Sequence, residues 1–492
     1  MGYSTTGRAL LDLNFAVASL RSTSEAEIVQ KFIKAFAENP ILAMRWLFFA
    51  RDAREGLGER RLFRVVIAAL VESNPEMVLP VIKLIAEYGR WDDMWCLLDN
   101  PKSAEAVCKI VDEQLTEDLK NMEAGKSISL LAKWMPSANA SSKETKKYAK
   151  QLCKALGLTE REYRKALSKF RKYLDVVEVK MSAKNWSEIN YEAVPSRANL
   201  IYNEAFLRND EERRRDYLGK LEKGEAKINA SVLYPHDIIH KYTNGSWHLN
   251  KSKDAAIEAL WEALPDNVQG CGNTIVVADG SGSMSCGVGN TRITALDVAN
   301  ALAIYFAEHS SGQFKDKYIT FSERPQLVDF SHCDSLHAKL QTALAHDECA
   351  NTNIEAVFNL ILTTAVKNKM SQEEIPQNIL IISDMEFDDC ATSGNGGGWR
   401  VKNPTQSLFA KISQDYAAAG YKLPRLVFWN VNSRTGTIPV KENDLGVALV
   451  SGFSTNICKM VLSGELDPYK CLLDTLNTER YDAVEAAIKE AV

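Results

Sequence analysis

The stretch Thr274-Ile275-Val276-Val277-Ala278-Asp279-Gly280-Ser281-Gly282-Ser283 decides the fold of the C-terminal half. Four β-branched residues and an alanine run together without polar alternation, as in a strand buried on both faces of a sheet. An acid, two serines and two glycines follow. In an open parallel sheet the strand tips and the N-termini of the next helices converge, so short oxygen side chains placed there aim at one spot. One carboxylate and two hydroxyls within five residues suit a hard cation that takes oxygen ligands, and the glycines permit the tight loop.

Working outward, further strands are expected at 317–321, 377–382, 424–431 and 446–450, with the first at 274–278. Helices at 292–309, 353–368 and 404–418 fill the intervals, which is the α/β signature. Upstream, to about residue 265, apolar residues recur at helical spacing. Ser24 and Glu27 have the form of a capping box, after which Ile28, Phe32 and Phe36 share a face until Asn39-Pro40 ends the helix. Gly56-Leu57-Gly58, Asn74-Pro75, Gly89 and Asn100-Pro101 cut the next segments into pieces of helix-pair length. That spacing suits either HEAT-like repeats or an irregular helical domain, since no residue-by-residue repeat is visible. The expected organisation is therefore an all-α region at 1–265, an α/β domain at 266–465, and a helical segment at 466–492 able to pack on either half.

Two later loops bear on the metal reading. Asn351-Thr352-Asn353 precedes a helix and offers Thr352, while the strand ending at Ile382 runs into Ser383-Asp384 and offers Asp384 at its tip. With Asp279-x-Ser281-x-Ser283, these three loops in this order resemble the von Willebrand A domain. The resemblance implies a mostly parallel, Rossmann-like sheet, with Ser281, Ser283 and Thr352 binding the ion through hydroxyls and Asp279 and Asp384 close by or acting through water. Mg2+ is the expected occupant because it holds few protein oxygens and keeps its waters, and Mn2+ substitutes readily. The resemblance further implies an open coordination position for a carboxylate or phosphate oxygen of a partner. Glu386, Asp388 and Asp389 read as a solvated acidic loop, and Gly394-Asn395-Gly396-Gly397-Gly398 as a flap beside the site.

The helical half carries Arg51-Asp52-Ala53-Arg54-Glu55-Gly56-Leu57-Gly58-Glu59-Arg60, Tyr88-Gly89-Arg90-Trp91-Asp92-Asp93, Ala132-Lys133-Trp134-Met135-Pro136-Ser137 and Pro235-His236-Asp237-Ile238-Ile239. With Ser383-Asp384-Met385-Glu386-Phe387 and Leu449-Val450-Ser451-Gly452-Phe453-Ser454, they resemble a bacterial, plant and viral family in which a helical region precedes an A domain. That family is similar to the Ro autoantigen, whose TROVE module is a ring of HEAT-like repeats closed by an A domain. The resemblance implies binding of small structured or single-stranded RNA by a helical ring or solenoid.

Charge distribution bears on RNA independently. Residues 143–184 hold thirteen Lys or Arg against five Asp or Glu, although the whole chain of 492 residues has a net charge of -5. Lys143, Lys146, Lys147, Lys150 and Lys154 recur three or four apart, as do Arg161, Arg164, Lys165, Lys169 and Lys172, giving two helices with basic stripes. Such stripes are either solvated faces or tracks for a phosphate backbone, with Tyr148, Tyr163, Phe170 and Tyr173 interleaved as core residues or stacking platforms. Arg51, Arg54, Arg60, Arg61 and Arg64 sit among Asp52, Glu55 and Glu59 and are expected to form internal ion pairs. Capping by Asp92 and Asp93 and ring packing by Trp91 and Trp134 are expected to be structural.

The remaining features exclude more than they assign. No secretory signal or membrane span is visible, so a cytoplasmic location is expected, and nothing points to a membrane partner or to DNA specificity. Ten cysteines lack any CxxC pair and read as reduced, mostly buried residues. No G-x-S-x-G, P-loop or H-E-x-x-H occurs, and His309, His332 and His346 read as surface or helix-end residues. No enzyme is expected. A protein-binding A-domain adaptor without RNA is the alternative to the RNA reading, and a metal-dependent nuclease or phosphatase comes third.

Overall fold

The computed structural model describes residues 5–268, 273–289, 291–347, 353–385, 404–432, 447–455 and 467–491. The chain divides into two compact units, one formed by Met1–Ser24 with Ala230–Thr475 and the other by Glu25–Asn229 with Leu476–Val492.

The first unit is built on a six-stranded sheet of β1 (Thr274–Asp279), β2 (Lys317–Phe321), β3 (Leu327–Asp329), β4 (Asn378–Ser383), β5 (Arg425–Asn430) and β6 (Val447–Ser451). Their spatial order is β3-β2-β1-β4-β5-β6, and only the edge pair β2–β3 is antiparallel. After β1 the chain moves outward to β2 and β3, then returns to the other side of β1 as β4. The order therefore reverses between β1 and β4, the position at which open α/β sheets place a ligand crevice. Continuous apolar runs suit this sheet because both faces are covered. Ile275, Val277, Ile379, Ile381 and Phe428 point into one buried cluster with Val357, Phe358 and Ile361 of helix Ile354–Asn368 and Ile412 and Tyr416 of helix Pro404–Ala418. Helix Ala295–His309 packs on β1 and β2, and its Phe306 meets Trp429 of β5 edge-on. Each such large apolar side chain removed from water contributes about 1.5–3 kcal/mol.

The helices expected at 292–309, 353–368 and 404–418 are present and helix Leu336–Ala345 is an addition to them, but spacing does not state which surface a helix covers. Helix Ala9–Leu20 lies on β5 and β6, where Ala18 N donates to Ser451 Oγ (3.0 Å) and Asn430 Nδ2 donates to the Phe15 carbonyl (3.0 Å). Helix Pro235–Thr243 packs on Ala295–His309, with His240 Nδ1 2.8 Å from Asp297 Oδ2 and Thr243 Oγ1 donating to Asp297 Oδ1 (2.6 Å). Glu258 accepts from the backbone N–H groups of Leu336 (2.7 Å) and His337 (3.1 Å) and so closes the start of helix Leu336–Ala345. The units thus cut the chain at 24/25, 229/230 and 475/476 rather than at 265 and 465. Among the described residues, strand β3 is the one addition to the expected strands.

In the second unit, helix Pro40–Arg51 is buried from Ala43 to Arg51, so it can carry an apolar surface on every side. Asn39 caps it by accepting from Leu42 N (3.0 Å), and Pro40 takes the first turn, where no N–H is needed. Of the arginines expected to form internal ion pairs, Arg51 and Arg64 do so, with an acid distant in sequence. Arg51 and Arg64 both reach Asp93 (2.6 and 2.8 Å), and Arg480 Nε reaches Asp52 (2.9 Å). Asp93 also caps its own turn by accepting from Arg90 N (2.9 Å), and the Arg90 guanidinium lies 4.0 Å from the centre of the Trp134 ring. The C-terminal stretch splits accordingly. Helix Pro468–Leu476 begins in the sheet unit, whereas helix Asp482–Ala491 packs on Pro40–Arg51. Among the described residues no helix is long and apolar enough to cross a membrane.

Candidate metal centre

β1 delivers Asp279 to the crevice almost fully buried. Its Oδ1 accepts from Ser281 N (2.9 Å), which folds the chain back and turns the serine loop over the strand tip. The Ser281 and Ser283 hydroxyl oxygens then stand 3.0 Å apart. From the neighbouring strand, Ser383 Oγ donates to Asp279 Oδ2 (2.7 Å) and accepts from Met385 N (3.0 Å). Met385 has a left-handed backbone (φ 61°), and its side chain is anchored in the sheet's buried cluster. That bend makes buried Asp384 the corner of a sharp turn off β4.

Burial pushes the Asp279 carboxyl up to about 6, against the hydrogen bonds from Ser383 and Ser281, and the negative charge of Asp384 adds to the rise. A buried acid with a second acid beside it is the electrostatic setting that a divalent cation relieves. Asp347 supplies another acid that the motif reading missed. Its Oδ2 accepts from Asn300 Nδ2 (2.9 Å), and burial, with a contribution from Asp279, pushes it up to about 7. It lies so close to Gly280 that a Cβ there would stand 3.0 Å from Asp347 Oδ1 and 3.2 Å from its Cα. A side chain at Gly280 would therefore crowd the second loop, which would have to shift by a few tenths of an ångström. Asn300 Oδ1, Tyr318 OH and Ser322 Oγ are buried without a hydrogen-bond partner among the described residues, and groups of this kind ordinarily meet ordered water.

The structure thus brings Asp279, Ser281 and Ser283 together and sets the charge of Asp384 against Asp279. Thr352, the acids Glu386, Asp388 and Asp389, and the glycine-rich stretch 394–398 lie outside the described residues. Among the described residues no group of three His, Cys, Asp or Glu side chains could hold a metal ion. A cation at this crevice accordingly depends on serine hydroxyls, which fits a small hard ion that keeps waters and not a soft metal. His309 and His346 turn their Nδ1 atoms to the Tyr305 and Thr342 carbonyls of their own helices, at 2.7 and 2.8 Å, as helix-end residues do.

In the helical unit, Lys143, Lys146, Lys147, Lys150 and Lys154 are all exposed on helix Lys143–Ala155, and Arg161, Arg164, Lys165, Lys169 and Lys172 on helix Glu160–Tyr173. The interleaved aromatics behave differently. Tyr148, Tyr163 and Phe170 are buried and offer no face for stacking, while the exposed Tyr173 donates its hydroxyl to the Lys126 carbonyl (2.8 Å).

Two family models match the chain, a domain of unknown function (DUF2828) over residues 104–274 and another (DUF7788) over residues 273–489. They meet where the helical pattern gives way to β1. An uncharacterized protein, L728, of Acanthamoeba polyphaga mimivirus is 29% identical over an alignment that covers 96% of this chain and 85% of the viral protein. Neither description mentions a von Willebrand A domain or Ro. The chain is thus similar across both halves to proteins whose function is undefined, and the matches support a family of unknown function.

Proposed function

We propose that the sheet unit is a von Willebrand A-type module that uses a divalent cation to bind an acidic partner. The observation that carries this reading is the crevice between the tips of β1 and β4. There the Ser281 and Ser283 hydroxyls stand 3.0 Å apart, beside a buried Asp279 hydrogen-bonded across to Ser383. In this reading Ser281, Ser283 and Thr352 hold Mg2+ or Mn2+ by their hydroxyls, and Asp279 and Asp384 hold its waters. The ion, when bound, supplies a fixed positive pole for a carboxylate or phosphate oxygen. Ser383 keeps Asp279 oriented, and Asp347 packed on Gly280 keeps the serine loop in place. A pull-down in Mg2+ and in chelator tests this. A partner retained only with Mg2+, and lost with Asp279→Ala, supports it, while retention in chelator contradicts it.

A second reading concerns the helical unit, which we read as HEAT-like and Ro-related, with RNA as its ligand. Ten exposed cations on two adjacent helices favour it, since counterion release from phosphates supplies sequence-independent affinity. Filter binding to structured and single-stranded RNA over a salt series tests it. A steep slope supports RNA binding, and no retention at low salt removes it. We propose no catalytic activity for either site.

A further inference from the structure

The two basic helices are not equivalent. A groove of about 1070 Å³ runs along helix Glu160–Tyr173 and is lined by Arg161, Arg164, Lys165 and Lys172, whereas no lysine of helix Lys143–Ala155 reaches it. The four lining cations sit at i, i+3, i+4 and i+11, on one helix face that extends about 16 Å at 1.5 Å per residue. None of the four has an ion-pair partner among the described residues. On the other helix, by contrast, Lys147 already pairs with Asp99.

Two more cations in the groove serve its walls. Arg171 donates to the carbonyls of Ala132 (2.8 Å) and Met135 (2.9 Å) and to Ser137 Oγ (3.2 Å), which fixes the loop forming one side. Lys180 joins Asp175 and the Glu188 carbonyl, both at 2.8 Å, and fixes the other side. Between the walls lies an apolar strip of half-buried Val176 and of Val179, which is 40% exposed. A row of uncommitted cations would suffice for any polyanion. Apolar surface beside that row is useful only to a ligand whose uncharged parts can reach it.

We infer that this groove seats a single-stranded polynucleotide, its phosphates along Arg161, Arg164, Lys165 and Lys172 and its bases turned onto the strip of Val176 and Val179. A duplex keeps its base faces stacked inside and presents phosphate and sugar, so it would engage the cations alone. With no aromatic ring in the lining, base contact is aliphatic and insensitive to sequence. The inference rests on the RNA reading above and specifies its site and the form of RNA bound.

The test uses the full chain, a labelled oligouridylate and an RNA duplex, each titrated over a salt series. Two variants with the same change of charge are compared. One is Arg161→Gln/Arg164→Gln/Lys165→Gln/Lys172→Gln, and the other is Lys143→Gln/Lys146→Gln/Lys150→Gln/Lys154→Gln. Each single-strand phosphate contact contributes about 0.7 to the slope of log K against log salt, so the groove variant should lose about 3 from it. The other variant should keep most of the slope, and Val179→Asp should weaken oligouridylate more than duplex. An equal or larger loss in the 143–154 variant would overturn the groove assignment and leave RNA binding standing. Equal binding of duplex and single strand, both unaffected by Val179→Asp, would overturn the single-strand assignment. No binding of either RNA by the unaltered chain at low salt would remove the RNA reading and this inference together.

Discussion

Ser383→Ala removes the hydroxyl that donates to Asp279 Oδ2 without touching a proposed metal ligand. The side chain is buried, the bond is 2.7 Å long and the acceptor is ionised at neutral pH. A hydrogen bond to a charged group is worth about 1.5–3 kcal/mol, equivalent to roughly one to two pKa units for the acceptor. From its position of about 6, Asp279 should therefore rise to about 7–8. Protons then compete with the cation over a higher range. At pH 6 the ionised share drops from about half to between about 1 and 10 per cent, so apparent Mn2+ affinity should fall about five- to fiftyfold, while near pH 9 the two proteins should converge. Mn2+ titration by electron paramagnetic resonance from pH 5 to 9 measures this, with Ser383→Thr as the variant that keeps a hydroxyl. An unshifted midpoint in Ser383→Ala would refute the reasoning. A loss of equal size at every pH would also refute it, because it would mean that the serine only shapes the loop.

Without metal, Asp279 and Asp347 both titrate above their unfolded values, so the folded chain holds more protons than the unfolded one between about pH 4 and 7. Their contribution is complete below pH 4 and is lost as pH rises through about 6 and 7; chemical denaturation in chelator should show that decline, and excess Mg2+ should reduce it. Gly280→Ala places a methyl 3.2 Å from the Asp347 Cα, and should weaken Mn2+ binding several-fold with little change in far-ultraviolet circular dichroism. Arg480→Met removes the guanidinium that pairs with Asp52, which is wholly buried, and should cost about 3 kcal/mol in the helical unit; hydrogen exchange of helix Pro40–Arg51 reads this loss, and Asp52→Asn/Arg480→Met should recover part of it.

The sheet was legible because β1 and β4 are unbroken apolar runs, and a strand covered on both faces has no other composition available to it. β3 was hidden because three residues cannot display a period. Helix Ala9–Leu20 was legible as a helix but not as part of the sheet unit, since amphipathicity states that a face is buried and is silent on what buries it. The same holds for Glu258, which caps a helix 78 residues away. At the candidate metal centre, Asp279, Ser281 and Ser283 were visible because one short loop carries them. Ser383 was quoted only as the neighbour of Asp384, and Asp347 was passed over. Their roles arise from strands and loops far apart in sequence that meet at the reversal point of the sheet. The basic stripes followed from spacing, but which of them borders a groove depends on where Arg171 and Lys180 anchor the surrounding chain.

Mn2+ binding to the full chain, set beside Asp279→Asn and Ser281→Ala/Ser283→Ala, addresses the central claim most directly. One Mn2+ per chain, displaced by Mg2+ and lost in both variants while the fold persists, is the predicted result. Undiminished binding in both variants, or no binding to the unaltered chain in excess Mn2+, would contradict it.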